Sequence, residues 1–417
     1  MSNPKLHLFP KVVILLIIFA AVMLSAQEPK ITLPSGFKAT IFADNLGRAR
    51  HITINKNGDV YVMLREPHEG SGVVALRDND MDGRADEIDY FCGMWGTGIE
   101  IYQNYLYVAP DTAVYRYELS GDQLVPEGPP EAIVTGLQTQ RQHASKPIAF
   151  DENGHLYVNI GAPSNACQEQ LRTPGSPGQD PCPQLGKHGG IWQFSAVKKN
   201  QRLSDAKRYC TGIRHCVAIA MNPVVDQLYA VMHGRDQLNS LWSEHFTVED
   251  NAKLPAEEFL LIREGSNFGW PYCYYDGFKD QLVLAPEYGG DGDKVGRCEQ
   301  YDDPIMDFPA HWAPNDLIFY TASMFPKKYK NGAFIAFHGS WNRAPKPQQG
   351  YKVVFVPFDG EMPSGDYKVF ANNFAQTDVI VSTRDAKYRP MGLAQAPDGS
   401  LFITDSQRGR IWNVRYE

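Results

Sequence analysis

The chain has 417 residues, a formal net charge of −8, 43% hydrophobic residues and 12% aromatic residues. This length could form two average domains, and the apolar content is sufficient for a large core. The acidic balance argues against nucleic-acid binding, which requires a basic surface.

The first element in chain order is a leader over residues 1–26. Two lysines precede an apolar run at 12–24, and small residues follow it. This pattern predicts a secretory signal peptide, because a membrane span needs roughly 20 apolar residues. Cleavage removes both lysines and takes the net charge from −8 to −10. We expect a periplasmic or secreted protein, with no stable membrane span after cleavage and with residues 27–417 as a single domain.

A strand phrase then recurs about six times, each time after a turn rich in Gly, Asn or Asp. Its copies are Gly58-Asp59-Val60-Tyr61-Val62, Asn104-Tyr105-Leu106-Tyr107-Val108, Gly154-His155-Leu156-Tyr157-Val158, Asp226-Gln227-Leu228-Tyr229-Ala230, Gly332-Ala333-Phe334-Ile335-Ala336 and Gly399-Ser400-Leu401-Phe402-Ile403. Repetition at this spacing is typical of a β-propeller. We predict an all-β fold, a six-bladed β-propeller of four-stranded antiparallel sheets with long rim loops. A strand at 31–43 would pair with the last blade and close the ring.

Seven cysteines in an exported chain predict disulfides. Spacing favours the pairs Cys167/Cys182, Cys210/Cys216 and Cys273/Cys298, with Cys92 left over. Spacing alone does not prove this pairing. The sequence contains no Cys-x-x-Cys-His, so we expect no covalently attached c-type haem.

Basic and polar residues precede each predicted innermost strand. They are Arg48, Arg50 and His51; Thr97; Gln142, His143 and Lys146; Arg214 and His215; His311 and Asn315; and Arg389. Equivalent repeats would bring these side chains to one mouth of the central channel. Positive groups repel one another there, so a bound anion or strongly acidic small molecule would compensate. The alternative for each residue is a solvated turn position.

The clearest metal signal is the run DNDMDGRAD, which begins at Asp78. Carboxylates at alternate positions followed by glycine predict a structural Ca²⁺ loop with the ligands Asp78, Asp80, Asp82 and Asp86. Asp89 stands where an EF-hand would have its closing glutamate. The alternative is an acidic surface turn.

The run FHGSWNR suggests a site for a flat, charged ligand. Trp341 would stack on it, Asn342 would donate hydrogen bonds, and Arg343 would pair with its charge. The alternative is a buried aromatic corner with a solvent-facing arginine. His143 is a candidate general base, because the neighbouring Lys146 would lower the imidazole pKa and keep it neutral.

These motifs together resemble the glucose/sorbosone dehydrogenase family, in its sorbosone branch. The motifs are QHASK at 142–146, NGHLYV at 153–158, APSN at 162–165, GIRH at 212–215, NFGWP at 267–271, HGSWNR at 338–343 and RPMGL at 389–393. The resemblance runs from about residue 33 to the C-terminus. It implies a propeller that holds pyrroloquinoline quinone and Ca²⁺ on its axis. It further implies oxidation of a sugar, aldose or sugar aldehyde in the periplasm, with electrons passed to a separate acceptor such as a cytochrome or quinone.

The resemblance also implies roles for individual residues. His143 is similar to the base that takes the hydroxyl proton, and Arg214 to the cation that stabilises charge on the quinone oxygen. The turn at Gly234 and Arg235 is similar to one whose backbone carbonyls ligate Ca²⁺. The expected cofactor contacts are Lys146, His215, His311, Trp341, Asn342, Arg343 and Arg389.

The sequence departs from the family pattern near Ala162, where a carboxylate that orients the catalytic histidine is expected and is absent. Without it we expect His143 to lose control of its tautomer. This departure favours an alternative function, a non-redox propeller that binds a carbohydrate or acidic small molecule in its basic channel. A metal-dependent lactonase is disfavoured, because the strand entries carry cations where carboxylate ligands would be needed.

Overall fold

The structure is a computed structural model that describes residues 30–417, so the predicted signal peptide lies outside the described residues. These residues form 28 strands, arranged as six four-stranded sheets and two short hairpins. Each innermost strand contacts the innermost strand of the next blade, and the last contacts the first. The predicted all-β, six-bladed propeller is confirmed.

The strands follow in chain order. The first, β1 (Phe37–Ala43), belongs to blade 6. Blade 1 contains β2 (Ala49–Ile54), β3 (Val60–His68), β4 (Ser71–Arg77) and β5 (Glu87–Phe91). Blade 2 contains β6 (Gly96–Tyr102), β7 (Tyr105–Pro110), β8 (Val114–Glu118) and β9 (Glu131–Val134). Blade 3 contains β10 (Ile148–Phe150), β11 (His155–Ile160), β12 (Gly190–Ser195) and β13 (Lys207–Thr211).

The second half of the ring carries the insertions. Blade 4 contains β14 (Cys216–Asn222), β15 (Gln227–Met232), β16 (Glu257–Ile262) and, after the hairpin of β17 (Cys273–Asp276) and β18 (Gln281–Leu284), β19 (Met306–Phe308). Blade 5 contains β20 (Pro314–Phe319), β21 (Ala333–Phe337), β22 (Lys352–Val356) and, after the hairpin of β23 (Phe358–Asp359) and β24 (Met362–Pro363), β25 (Lys368–Ala371). Blade 6 adds β26 (Pro390–Gln395), β27 (Leu401–Asp405) and β28 (Ile411–Tyr416) to β1.

Ring closure follows the prediction in its essentials. The β1 strand pairs antiparallel with β28, from Phe37 opposite Tyr416 to Ala43 opposite Ile411. The strand begins at Phe37 rather than at residue 31, and Thr32 forms an isolated bridge to Asn372. The N-terminal strand therefore completes the sheet formed by the C-terminal strands.

Six apolar clusters fill the six wedges between neighbouring blades. The tyrosines of the repeated phrase explain part of its recurrence. The hydroxyl groups of Tyr61, Tyr107 and Tyr229 each donate a hydrogen bond, of 2.8–2.9 Å, to a backbone carbonyl of the following blade. A buried phenol with a satisfied hydroxyl joins adjacent blades at the same place in each repeat.

Two of the three predicted disulfides are confirmed, and both staple rim insertions. They are Cys167–Cys182 and Cys273–Cys298. The expected Cys210/Cys216 pair is wrong, and Cys92 is free as expected. Cys210 lies on the outermost strand of blade 3, whereas Cys216 opens the innermost strand of blade 4. Each thiol packs separately into the apolar wedge between these blades.

The described residues contain two short α-helices, both in the rim insertion after β15. They are α1 (Leu238–Leu241) and α2 (Val248–Lys253), and 3₁₀ turns occur at Pro183–Gly186, Leu203–Asp205, Pro286–Tyr288, Gly296–Gln300 and Lys327–Tyr329. Within residues 30–417 no helix has the length and apolar character that a membrane crossing requires.

Candidate active site

A cavity of about 300 Å³ opens at the end of the ring where the innermost strands begin. Loops of blades 3 to 6 form its walls, which include His143, His215, His233, His338, Arg214 and Arg389. Part of the predicted convergence is therefore observed, and the strand-entry residues at this mouth are His143, Arg214, His215, Asn315 and Arg389. The entry residues of blades 1 and 2 do not line this cavity, and His51 lines the other cavity of the channel. The concentration of imidazole and guanidinium groups at this mouth suits an anionic ligand.

His143 is held in a defined orientation. Its Nδ1 lies 2.6 Å from the carbonyl oxygen of Ala162. A carbonyl only accepts hydrogen bonds, so Nδ1 carries the proton and Nε2 keeps its lone pair for the cavity. The expectation that His143 loses control of its tautomer is corrected, because the backbone at Ala162 supplies the acceptor that a side chain was expected to provide.

Gln140 fixes the loop that carries His143. Its Nε2 donates to the carbonyl oxygens of Gln142, His143 and Gly161 at 2.8–2.9 Å. His143 adopts a φ of 53°, in the left-handed region that non-glycine residues seldom occupy. The two hydrogens of this NH₂ group are shared among the three carbonyl oxygens, and these contacts stabilise the uncommon backbone conformation.

Three histidine rings contact one another in the cavity wall. The rings of His143 and His215 are 4.5 Å apart and nearly parallel, and His233 lies 5.0 Å from His215. Burial, with Arg214 nearby, places the pKa of His143 well below 6.5 and lowers that of His233 to about 4. Burial and the adjacent His143 likewise place the pKa of His215 well below 6.5. All three rings are therefore neutral near pH 7.

Asp236 organises the polar side of the cavity. Its carboxylate accepts hydrogen bonds from Arg214 Nη2 at 2.9 Å, from Arg172 Nη2 at 2.9 Å and from Asn342 Nδ2 at 2.6 Å. Burial alone would raise the pKa of Asp236, but the charges of Arg214 and Arg172 outweigh it and hold the pKa well below the ordinary value. Asp236 is thus an ionised anchor for three donors from three different loops.

Arg214 is the most extensively bonded cation in the cavity. Besides Asp236, it donates to the carbonyl and side-chain oxygens of Asn165 at 3.2 and 3.0 Å, and to the carbonyl oxygen of Gly234 at 3.0 Å. This geometry bears on the predicted carbonyl ligands of Ca²⁺, because the Gly234 oxygen already accepts a hydrogen bond. The Arg235 side chain forms a buried ion pair with Glu287, and calcium ligation by the backbone carbonyl of Arg235 stays a prediction.

The opposite wall carries Arg389 and Trp341. Arg389 donates to the carbonyl oxygens of His338 and Gly339 at 3.1 and 2.6 Å, which holds its guanidinium group at the cavity. The Trp341 side chain lines the cavity and is 56% exposed, so one ring face is accessible to a ligand. This wall provides one positive charge and one aromatic surface.

Two polar atoms of the cavity wall are buried without a partner among the described residues. They are His215 Nδ1 and Asn342 Oδ1. A buried polar atom without a hydrogen bond is costly, and such atoms at a cavity often serve a ligand.

Three predicted contact residues lie away from the cavity. The fully buried Lys146 donates to the carbonyl oxygen of Ala144 at 2.5 Å, and burial lowers its pKa to about 8. His311 Nε2 bonds the carbonyl oxygens of Asn251 and Leu254, at the end of α2. Arg343 turns to the outer side of its loop. Side chains close together in a loop can point in different directions. Trp341 therefore lines the cavity, whereas Arg343 does not.

The predicted Ca²⁺ loop lies between β4 and β5, away from the cavity. Ligand oxygens of Asp78, Asp80 and Asp86 come within 4.8 Å of one another, and Asp82 is outside this group. Backbone N–H groups of the same loop already bond Asp78 and Asp86. Ca²⁺ binding by this loop stays a prediction.

Sequence reasoning did not identify Asp236, Gln140, His233 and Arg172. Asp236 and His233 flank the turn whose backbone was predicted to bind metal, and the pattern HGRD in an insertion was a usable signal. Gln140 and Arg172 occupy irregular loops, and no periodic pattern marks them.

Comparisons with known proteins agree with this fold. A family model described as TrAA12-like matches residues 31–417. A pyrroloquinoline quinone-dependent sugar dehydrogenase of Hypocrea jecorina is 28% identical over 225 residues, which cover 48% of this chain and 46% of that protein. The match therefore spans less than half of that relative's length.

Two solved structures share the architecture over nearly the whole chain. One is a calcium structure of a family AA12 enzyme from Trichoderma reesei, with a TM-score of 0.76 and 18% identity, covering 93% of this chain and 98% of that one. The other is the holo form of the pyranose dehydrogenase PQQ domain from Coprinopsis cinerea, with a TM-score of 0.75 and 17% identity, covering 93% and 97%. At these identities the likeness establishes the fold. The sorbosone branch stays a prediction.

Proposed function

This chain belongs to the TrAA12-like family, and on that premise we propose that it is an exported, pyrroloquinoline quinone-dependent dehydrogenase of sugars or sugar aldehydes. The electrons would pass to a separate acceptor. The observation that carries the proposal is the oriented, neutral His143 in a cavity that also contains Arg214 and Arg389. Proton abstraction and binding of a polyanion would occur side by side in this arrangement.

The residues present fit the quinone, which is a planar tricarboxylate. Arg214 and Arg389 supply fixed positive charge, and His215 Nδ1 and Asn342 Oδ1 are buried polar atoms in need of partners. The exposed ring of Trp341 offers a flat surface for stacking. We assign these five residues to cofactor binding.

The cavity residues alone offer too few free oxygen atoms to hold Ca²⁺, so the ion would bind together with the quinone. Ca²⁺ prefers six to eight oxygen ligands, whereas the Asp236 carboxylate already accepts hydrogen bonds from three donors and the Gly234 carbonyl retains a single lone pair beside Arg214. The protein would contribute Gly234 and Asn342 oxygens, and the remaining ligands would come from cofactor and water.

When bound, the quinone would supply the two-electron acceptor for the hydride of the sugar's carbinol carbon. His143 Nε2 would take the hydroxyl proton as that hydride leaves. The bond from Nδ1–H to Ala162 fixes the tautomer, and the depressed pKa keeps the ring unprotonated before the reaction. Arg214 is immobilised by Asn165, Gly234 and Asp236. It would therefore stabilise negative charge on the quinone oxygen without moving its own side chain.

Two variants separate the assigned roles. His143→Ala should abolish dye reduction with aldoses and leave quinone affinity close to wild type, because His143 is not among the five residues assigned to cofactor binding. Arg389→Ala should chiefly weaken quinone binding, by about tenfold or more for a charge-assisted contact. Exposed, remote residues give matched controls in His245→Ala and Arg202→Ala.

The measurements are quinone titration in the presence of Ca²⁺, followed by dye reduction with a panel of aldoses and sugar aldehydes. Tight binding with turnover supports the dehydrogenase. Binding without turnover of any sugar supports the non-redox ligand-binding alternative, and failure to bind quinone refutes the proposal.

A further inference from the structure

A second, larger cavity lies between blades 4 and 5, on the outer side of the loop at 338–351. Its volume is about 520 Å³, within the roughly 300–1,000 Å³ of small-molecule sites. Its walls include Phe278, Tyr367, Asp307, Asp366, Arg343 and Gln349. We call it the lateral groove. Nothing in the proposed chemistry of the channel mouth uses these side chains.

Two aromatic rings line the lateral groove on rigid supports. Phe278 is 71% exposed at the tip of the hairpin of β17 and β18, and its N–H donates to Asp276 Oδ1 at 3.0 Å. The Cys273–Cys298 disulfide fastens the base of that hairpin. Tyr367 packs against Phe308 in a tilted geometry at 5.2 Å and edge-on against Trp312 at 5.9 Å. Phe278 is therefore an exposed apolar ring on a rigid hairpin, and a ligand could pack on it with little loss of side-chain entropy.

Polar groups of both kinds surround these rings. Asp307 and Asp366 form no ion pair with any described residue, and burial raises the pKa of the half-buried Asp307. The Gln349 side chain accepts a hydrogen bond from Trp312 Nε1 at 3.3 Å through its oxygen, so its NH₂ group is available as a donor. Arg343 provides further donors. Acceptors and donors are thus mixed within one groove.

This combination favours a neutral polyhydroxylated ligand. The groove is lined by two cations, Arg343 and Lys253, and by two acids, Asp307 and Asp366. Lys253 is also ion-paired with Glu249 at 3.0 Å, so no concentrated charge of either sign selects a strong anion or a strong cation. Sugar hydroxyl groups both donate and accept hydrogen bonds, and the C–H face of a pyranose packs on aromatic rings. A saccharide satisfies both requirements.

One loop separates the lateral groove from the channel mouth. Trp341 and Asn342 line the mouth, whereas Arg343 and Gln349, in the same loop, line the groove. We propose that the lateral groove binds the distal units of an oligosaccharide whose terminal unit enters the channel mouth. This inference rests on the proposed function for its terminal unit, and it makes an oligosaccharide, rather than a free monosaccharide, the preferred substrate.

Binding to the cofactor-free protein tests the groove independently of redox chemistry. Glucose, cellotriose, maltotriose and xylotriose would be titrated by calorimetry into wild type, Phe278→Ala and Asp307→Asn. Val197→Ala, an exposed apolar residue on another blade, is the matched control. We expect at least one trisaccharide to bind, glucose to bind far more weakly, and each groove variant to lose about 3–10-fold in affinity, the range for one aromatic or hydrogen-bonded contact. The control should match wild type.

Kinetics of the quinone-loaded enzyme then test the connection between the two cavities. Phe278→Ala should raise KM for the bound trisaccharide and leave kcat, and both constants for a monosaccharide, unchanged. Absence of trisaccharide binding to wild type, or binding that Phe278→Ala does not weaken, overturns the proposal. Equal effects of Phe278→Ala on trisaccharide and monosaccharide overturn it as well. Groove-dependent binding by a protein that oxidises no sugar supports the groove and refutes the proposed dehydrogenase.

Discussion

Gly161 lies beside the two stacked imidazoles of the cavity, those of His143 and His215. A Cβ atom at this position would lie 2.8 Å from His143 Cβ, 2.9 Å from the His143 carbonyl oxygen and 2.9 Å from His215 Nδ1. Real Cβ atoms do not approach other heavy atoms this closely, and the three contacts belong to backbone or to packed rings. Gly161→Ala must therefore displace the loop of His143, the ring of His215 or both.

The cost follows from the type of contact. Overpacking of this kind destabilises proteins by about 1–3 kcal/mol, and a misplacement of about 1 Å at a reacting group can cost about 10²-fold in rate. We expect Gly161→Ala to lower the melting temperature modestly and kcat/KM for a sugar by about 10²-fold, with a smaller loss in quinone affinity.

Thermal unfolding, quinone titration and dye reduction check these expectations. Gly186→Ala is the matched control, because Gly186 is exposed in the same rim insertion and its added Cβ would meet no atom within 4 Å. Wild-type kcat/KM and stability in Gly161→Ala would show that the stacked histidines do not determine the activity.

Three further predictions concern protonation and thiols. The acid limb of the kcat/KM profile should lie below pH 6.5, because burial and Arg214 lower the pKa of His143; an inflection at or above pH 6.5 would contradict this assignment. In the lower channel, burial and Asp316 raise the pKa of Glu100 to about 8. The folded state retains that proton up to about pH 8 while the unfolded chain releases it near pH 4.5, so stability falls as the pH rises through this window. The stability of Glu100→Gln relative to wild type should therefore increase between pH 5 and pH 9, on the order of a few kcal/mol. Melting temperatures of both proteins across this range measure the change, and a difference that does not depend on pH would refute the raised pKa of Glu100. Finally, denatured, unreduced protein should titrate three thiols with Ellman's reagent, whereas a Cys210–Cys216 disulfide would leave one.

The fold was predictable because the same strand phrase recurs about six times, once in each blade. The tyrosines of the repeated phrase reach the next blade, and the alternating residues around them fill the wedges, so each copy reports the same local requirement. Some of the residues before the innermost strands were predictable for the same reason. His143, Arg214, His215 and Arg389 precede the innermost strands of blades 3, 4 and 6, and the symmetry of the ring places these strand entries at one mouth.

The remaining site residues depend on irregular loops, whose direction no repeat determines. Trp341 and Arg343 are two positions apart, yet they line different cavities. The loop between β21 and β22, which carries both residues, separates the channel mouth from the lateral groove. Asp236 gathers its donors from loops 64 and 106 residues away in sequence. Such contacts arise from the path of each insertion over the rim, and the spacing of residue types does not encode that path.

The Ala162 carbonyl has an electrostatic consequence beyond orientation. A carboxylate at this place would hold the imidazole and also neutralise the imidazolium that proton abstraction creates, whereas a carbonyl carries only a dipole. The carboxylate that lines this cavity, Asp236, is engaged by two arginines. Protonated His143 would therefore lie beside Arg214 and the neutral His215 without a free counter-charge, so it should lose its proton readily. Burial, with Arg214 beside it, is the cause of the low pKa of His143, and in the proposed dehydrogenase such a base would return to its neutral form in each turnover.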